Sequence, residues 1–215
     1  MKRGNLTLLV VLGILVIFGF WGCSQYNGLV TEDENVKNAW GNVQSAYQRR
    51  ADLIPNLVAT VQGEANFERG TLNDVTSARA RATAVTVDPS KVTPEQLAEF
   101  QAAQGQLSQA LGRLLMVTEN YPTLRANEGF RNLQFELSGT ENRINRERNL
   151  FNDVVNVYNR KVRSFPVNMV AGMFGFAVRP PFAASAEAQE APKVNFPSAN
   201  TPAPATTPVP DSNRR

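Results

Sequence analysis

The chain has 215 residues, 42% of them hydrophobic, which fits one domain with enough apolar side chains to bury a core. Its formal charge of +3 collects at the ends, because 17 Lys and Arg face 16 Asp and Glu between Gln25 and Ser185, and so neutral a body argues against nucleic acid as a partner. With no histidine and one cysteine, Cys23, the chain cannot assemble a Cys/His zinc site, a Ser-His-Asp triad or a Cys-His nucleophile, and no metal or cofactor is expected.

Lys2 and Arg3 precede an uncharged apolar run, LTLLVVLGILVIFGFWG, from Leu6 to Gly22. At about 1.5 Å per residue this run falls just short of a ~30 Å hydrocarbon core, and extension through Cys23 to Tyr26 closes the gap. Residues 1–25 therefore read as an N-terminal membrane anchor, with Trp21 and Tyr26 at the interface. Basic residues before the run and Glu32, Asp33 and Glu34 after it place the N-terminus in the cytoplasm and the body outside. The alternative is a lipoprotein signal ending at an acylated Cys23: Gly22 suits such a site, whereas Trp21 is bulky for it. Both readings put the protein on a bacterial membrane.

From Val36 the apolar period is helical. Val36, Trp40, Val43, Tyr47, Ile54, Leu57, Val61, Ala65, Leu72, Val75 and Ala82 follow steps of three and four, interrupted by Arg50 and Glu68. The register runs through Pro55, which predicts a kink rather than a stop. Thr93 and Pro94 are a helix start, followed by the stripe Leu97, Phe100, Leu107, Leu111 and Leu114 up to Tyr121-Pro122. Asn127 caps the next helix, whose stripe is Phe130, Leu133, Leu137, Ile144, Phe151, Val155, Tyr158 and Val162, ending at Phe165-Pro166. The expected fold is all-α: an antiparallel bundle of three to four long helices over residues 26–185, with an N-terminal transmembrane helix. Residues 186–215, rich in Pro, Ala and Thr, are expected to be a disordered tail.

Two interruptions stand out. Arg50, within QRRADLIPNLV at 48–58, falls on the apolar stripe of its helix, and Thr140 and Glu141 fall where the last helix should be apolar between Leu137 and Ile144. A charge turned inward needs a partner, and a carboxylate matches the guanidinium fork, so Arg50 and Glu141 are expected in one buried polar layer. Asp52, Glu119, Asn142 and Arg148 are the further candidates for that layer or for a partner site. Arg143, Arg146 and Arg148 could meet phosphates or lipid headgroups, although the interspersed Glu147 and Asp153 favour ion pairs along the helix. The patch VNMVAGMFGF, 167–176, is either a lid on one end of the bundle or a docking surface through Met169, Met173, Phe174 and Phe176.

YNGLV at 26–30, VKNAW at 36–40, QRRADLIPNLV at 48–58, ENYPTLRANEGF at 119–130, ELSGTENRI at 136–144, FNDVVNVYN at 151–159 and SFPVNMVAGMFGF at 164–176 resemble the LemA family. The resemblance extends from Tyr26 to about Phe196. It implies a mostly α-helical bundle held by one N-terminal transmembrane helix, and no particular biochemical activity. Gly22-Cys23 before YNGLV is similar to the lipoprotein-type members, while Trp21 departs from a clean lipidation site.

The expected function is a non-enzymatic, membrane-anchored scaffold or adaptor of the bacterial cell envelope, holding an envelope protein partner. The alternatives are a cell-wall or lipid-acting enzyme using carboxylates such as Glu119 and Glu141, and a module that binds phosphates or lipid headgroups.

Overall fold

A computed structural model describes residues 3–64 and 67–183, with side chains from residue 10 onward. Lys2, Ala65 and the expected tail at 186–215 lie outside the described residues. The described elements are α1 (Arg3–Gln62), α2 (Arg69–Ala84), α3 (Pro94–Val117), a 3-10 turn (Thr118–Asn120), α4 (Pro122–Ala126), α5 (Glu128–Arg163) and α6 (Val167–Phe174). No strand occurs among them, so the fold is an all-α bundle.

The anchor and the first core stripe are one helix. α1 crosses residue 25 without a break, and its body end buries Leu29, Val36, Trp40, Val43, Tyr47, Ile54, Leu57 and Val61. It also passes through Pro55. Proline has no N–H, which leaves the carbonyl of Ala51 without its helical donor. Arg79 of α2 supplies one, Nε donating to that carbonyl at 2.7 Å.

The stripe expected to run to Ala82 as a single helix is in fact two. The chain leaves the helix after Gln62, turns at Gly63 and re-enters at Arg69. Leu72, Val75, Ala78 and Ala82 of α2 are then buried against α3. The connection has the length that preserves helical phase, so the apolar period does not reveal it. Glu68, the second interruption, stands at the N-cap of α2.

Local chemistry sets the other starts. Thr93 and Gln96 form a reciprocal capping box at 3.2 and 3.1 Å, with Pro94 in the first turn of α3. Asn127 Oδ1 accepts from the Phe130 amide at 3.1 Å to open α5. α3 ends at Val117, earlier than Tyr121-Pro122, because a 3-10 turn and the short α4 carry the chain around.

α5 lies antiparallel to α1. Lys161 Nζ donates to Gly28 O at 2.8 Å near the anchor, Arg50 meets Glu141 midway, and Thr123, just before α5, donates to Glu64 at 2.9 Å at the far end. Lys161 also lies 3.6 Å from Glu32. Arg160, Lys161 and Arg163 occupy the last turn of α5, where cations suit the helix dipole.

After α6, Gly175 at φ 77° reverses the chain, and an extended strap returns along α5. Two asparagines seven residues apart hold it. Asn159 donates to Arg179 O and accepts from Arg179 N, both at 2.8 Å. Asn152 does the same with Phe182, at 3.2 and 2.8 Å. Each side-chain amide offers a donor and an acceptor side by side, as a neighbouring strand would. One compact unit of the chain ends at Phe182.

Candidate functional site

The core is divided into two apolar clusters. The anchor-side cluster holds Trp40, Tyr47, Phe100, Ile144, Phe151 and Phe182; the far cluster holds Ile54, Leu57, Val75, Leu107, Leu114 and Leu137. Between Tyr47 and Ile54 on α1, between Phe100 and Leu107 on α3, and between Leu137 and Ile144 on α5, the chain places polar residues: Arg50, Gln104, and Thr140 with Glu141. The boundary is a polar layer.

Arg50 is 2% exposed and is its centre. Nη1 donates to Glu141 Oε2 at 2.8 Å and to Ser108 Oγ at 2.9 Å. Nη2 donates to Gln104 Oε1 at 2.5 Å and more weakly to Gln104 O at 3.4 Å. Gln104 Nε2 in turn donates to Ala82 O at 3.1 Å, satisfying a carbonyl that the end of α2 leaves open. The guanidinium of α1 thus joins α3 and α5 directly, and α2 through Gln104. Its carbon lies 5.1 Å from the centre of the Tyr47 ring, and Nε has no hydrogen-bond partner among the described residues. Burial raises the Tyr47 pKa, against the Arg148 and Arg50 charges, which pull it down. The layer is not sealed, because the Glu141 side chain is 46% exposed.

The structure brings Arg50 and Glu141 together, and of the other candidates Arg148 comes near enough for its charge to act on Tyr47 beside Arg50. Thr140 is buried, but its hydroxyl turns back to Glu136 O at 2.8 Å. Asp52 is exposed and accepts from Gln48 at 2.8 Å. Glu119 is exposed and lines a depression of about 340 Å³ with Arg125, and Asn142 points to solvent. Arg148 lies 4.9 Å over the Phe182 ring, and Arg143 pairs loosely with Glu147 at 3.9 Å. Gln104 and Ser108 were not anticipated. Their signal was the unexplained seven-residue step from Phe100 to Leu107.

A second polar knot, also unanticipated, pins the strap. Arg179 Nη2 bonds Asp33 at 3.0 Å, Nη1 donates to Ser90 O, and the guanidinium lies 5.8 Å from the Tyr158 ring. Tyr158 is buried, which raises its pKa, and its hydroxyl donates to Ala177 O at 2.9 Å.

At the anchor end the surface changes character. Val10 to Phe20 of α1 are exposed and apolar, in the one helix among the described residues that is long and apolar enough to cross a membrane. Where this stretch meets α6, a groove of about 1100 Å³ opens, walled by residues between Ile17 and Asn27 and by Phe165, Pro166, Met169, Val170, Met173 and Phe174. Tyr26 contacts the rings of Phe174 and Phe176 at 4.8 and 5.8 Å. α6 is lid and open surface at once. Ala171, Val167, Val170 and Phe176 pack on the anchor-side cluster, whereas Met169, Met173 and Phe174 face outward. No group of three or more His, Cys, Asp or Glu placed to hold a metal occurs among the described residues.

The residues of the polar layer fall within the stretch covered by one family model: LemA family, residues 39–196, well over half of the chain. The chain belongs to the LemA family. Among its relatives, magnetosome protein MamQ 2 of Paramagnetospirillum magneticum is 27% identical over 197 residues, covering 81% of this chain and 71% of that protein. Protein LemA of Metamycoplasma hominis is 28% identical over 155 residues, covering 72% and 67%. Magnetosome protein MamQ of Magnetospirillum gryphiswaldense is 26% identical over 199 residues, covering 82% and 72%. The LemA match begins at Ala39, inside α1 and beyond its apolar end.

Proposed function

We propose that this LemA-family chain is a membrane-anchored helical scaffold or adaptor of the bacterial cell envelope, without catalytic activity of its own. One observation carries the reading: a single unbroken helix has an exposed apolar span at one end and the stripe of the bundle core at the other. Such a helix holds the body at a fixed distance from the bilayer with no flexible linker between them. The charge asymmetry around the span supports a body outside the cytoplasm. For an envelope protein partner, the outward face of α5 is the surface we favour. Phe135, 82% exposed, shares with the exposed Leu150 and Val157 one side of a helix of about 3.6 residues per turn.

The alternatives have less to stand on. Glu119 and Glu141 do not line a common cleft, and Glu141 is engaged by Arg50. Of the three arginines expected to meet phosphate, Arg143 lies 3.9 Å from Glu147 and Arg148 lies over Phe182, while Arg146 is exposed. The relatives' names describe no reaction.

The anchor is tested by fractionating cells that express the full chain or its Cys23→Ser variant, with alkaline washing of the membranes and mass spectrometry of the N-terminal peptide. Both proteins are expected in the washed membranes with the N-terminus uncleaved. Release of the Cys23→Ser variant alone would establish the lipoprotein anchor instead, and full-length protein in the soluble cytosol would overturn membrane anchoring altogether.

A further inference from the structure

The groove between α1 and α6 sits at a level of the molecule that constrains what can fill it. Counting from Leu6, about 20 residues at about 1.5 Å each are needed to cross a ~30 Å core, so the span ends near Gln25. The α1 wall of the groove, between Ile17 and Asn27, therefore lies largely within the bilayer half nearest the body. Only a lipid chain or another apolar transmembrane segment can reach Ile17 and Phe18 there.

The opposite wall matches that setting. α6 carries no charged residue. Its outward side chains Met169 and Met173 are one helical turn apart, and Met173 is 80% exposed. Phe165 before the helix and Val178 after it are exposed as well. In water this would be a contiguous apolar patch of the kind that marks an interaction surface. Cationic residues stand next to it in the chain. Arg160 and Arg163, both exposed, end α5 immediately before Phe165, where long basic side chains can reach anionic headgroups while their stems stay along the apolar boundary. The groove walls themselves carry no charged side chain and few polar ones, which suits methylene chains and gives a folded protein partner few places to hydrogen-bond.

We propose that α6 is a second membrane contact of this protein: it lies in the bilayer half next to the body, and the groove between it and α1 holds lipid acyl chains. This inference rests on the reading of α1 as a membrane span. Two contacts, one crossing and one lying in the interface, fix how the bundle stands on the membrane, which a single span leaves free to rotate. The partner-binding face of α5 is then presented in one orientation.

The test is spin-label accessibility on the full chain in vesicles of phosphatidylcholine and phosphatidylglycerol. Single labels are placed, in a Cys23→Ser background, at Met173→Cys, at Ile14→Cys in the span and at Phe135→Cys on the body; all three native side chains are exposed. Relaxation by oxygen, which partitions into lipid, is compared with relaxation by a water-soluble nickel chelate. The label at 173 is expected to resemble that at 14, with an oxygen-to-nickel ratio several-fold above that at 135. A label at 173 as open to nickel as that at 135, while 14 stays in lipid, would overturn the inference and leave the anchor standing. Shielding of 173 from both agents would overturn it in favour of a protein covering the groove. If 14 itself is open to nickel, the anchor reading falls and the inference with it.

Discussion

Arg50→Ala is expected to lower the unfolding free energy of the detergent-solubilised protein by about 3–5 kcal/mol, and Glu141→Ala by roughly 1–3 kcal/mol. The two differ because their surroundings differ. Arg50 is buried between the two apolar clusters, so its loss opens a cavity there and leaves Gln104 Oε1 without a donor inside the core. Loss of Glu141 leaves a buried cation, but Gln104 and Ser108 still bind it and water reaches the site from the half-exposed side of α5. In the double variant the effects should fall short of their sum by on the order of 1 kcal/mol or more, since neither residue then strands the other. Replacing both by methionine should cost less than Arg50→Ala alone, because the cavity is refilled. Two changes under ~1 kcal/mol that simply add would show that the layer contributes no coupling.

Trp40→Ala should be as damaging, about 3–5 kcal/mol by chemical denaturation. Trp40 is 1% exposed and packs on rings from three directions: Phe100 at 5.5 Å, Phe151 at 5.4 Å and, stacked, Phe182 at 5.7 Å. Phe182 belongs to the strap, so the same change should free residues 177–182 for proteolysis before the bundle unfolds. Trp40→Phe should cost much less. Among the described residues the indole N–H has no hydrogen-bond partner, so removing it loses none of these bonds and ends the desolvation cost of a buried donor. Equal losses for Phe and Ala at this position would mean that an unseen partner holds that N–H.

How much of this was legible in the sequence depended on whether the signal was local. Thr93-Pro94 and Asn127 mark helix starts because a cap acts within one turn, and both stand at those starts. The Arg50 and Glu141 positions were readable because each interrupts an apolar stripe, which is a one-dimensional pattern. Gln104 was not, since a glutamine on a helix is ordinarily solvated and only the packing of α2 and α3 encloses it. The break between α1 and α2 escaped for a different reason: the six residues between Gln62 and Arg69 keep the helical phase, so periodicity runs across it. The strap had no pattern to read. Its hydrogen bonds come from Asn152 and Asn159, some 20 to 30 residues away in sequence.

The function proposed above depends on one helix that spans the membrane and presents the bundle outside. Membrane-impermeant maleimide labelling of spheroplasts, using the full chain with Cys23→Ser and a single new cysteine, tests that arrangement most directly. Phe135→Cys should be labelled in intact spheroplasts, and Lys2→Cys only after lysis. Labelling of Lys2→Cys but not Phe135→Cys before lysis would invert the topology, and labelling of both only after lysis would place the bundle in the cytoplasm, contradicting an envelope scaffold.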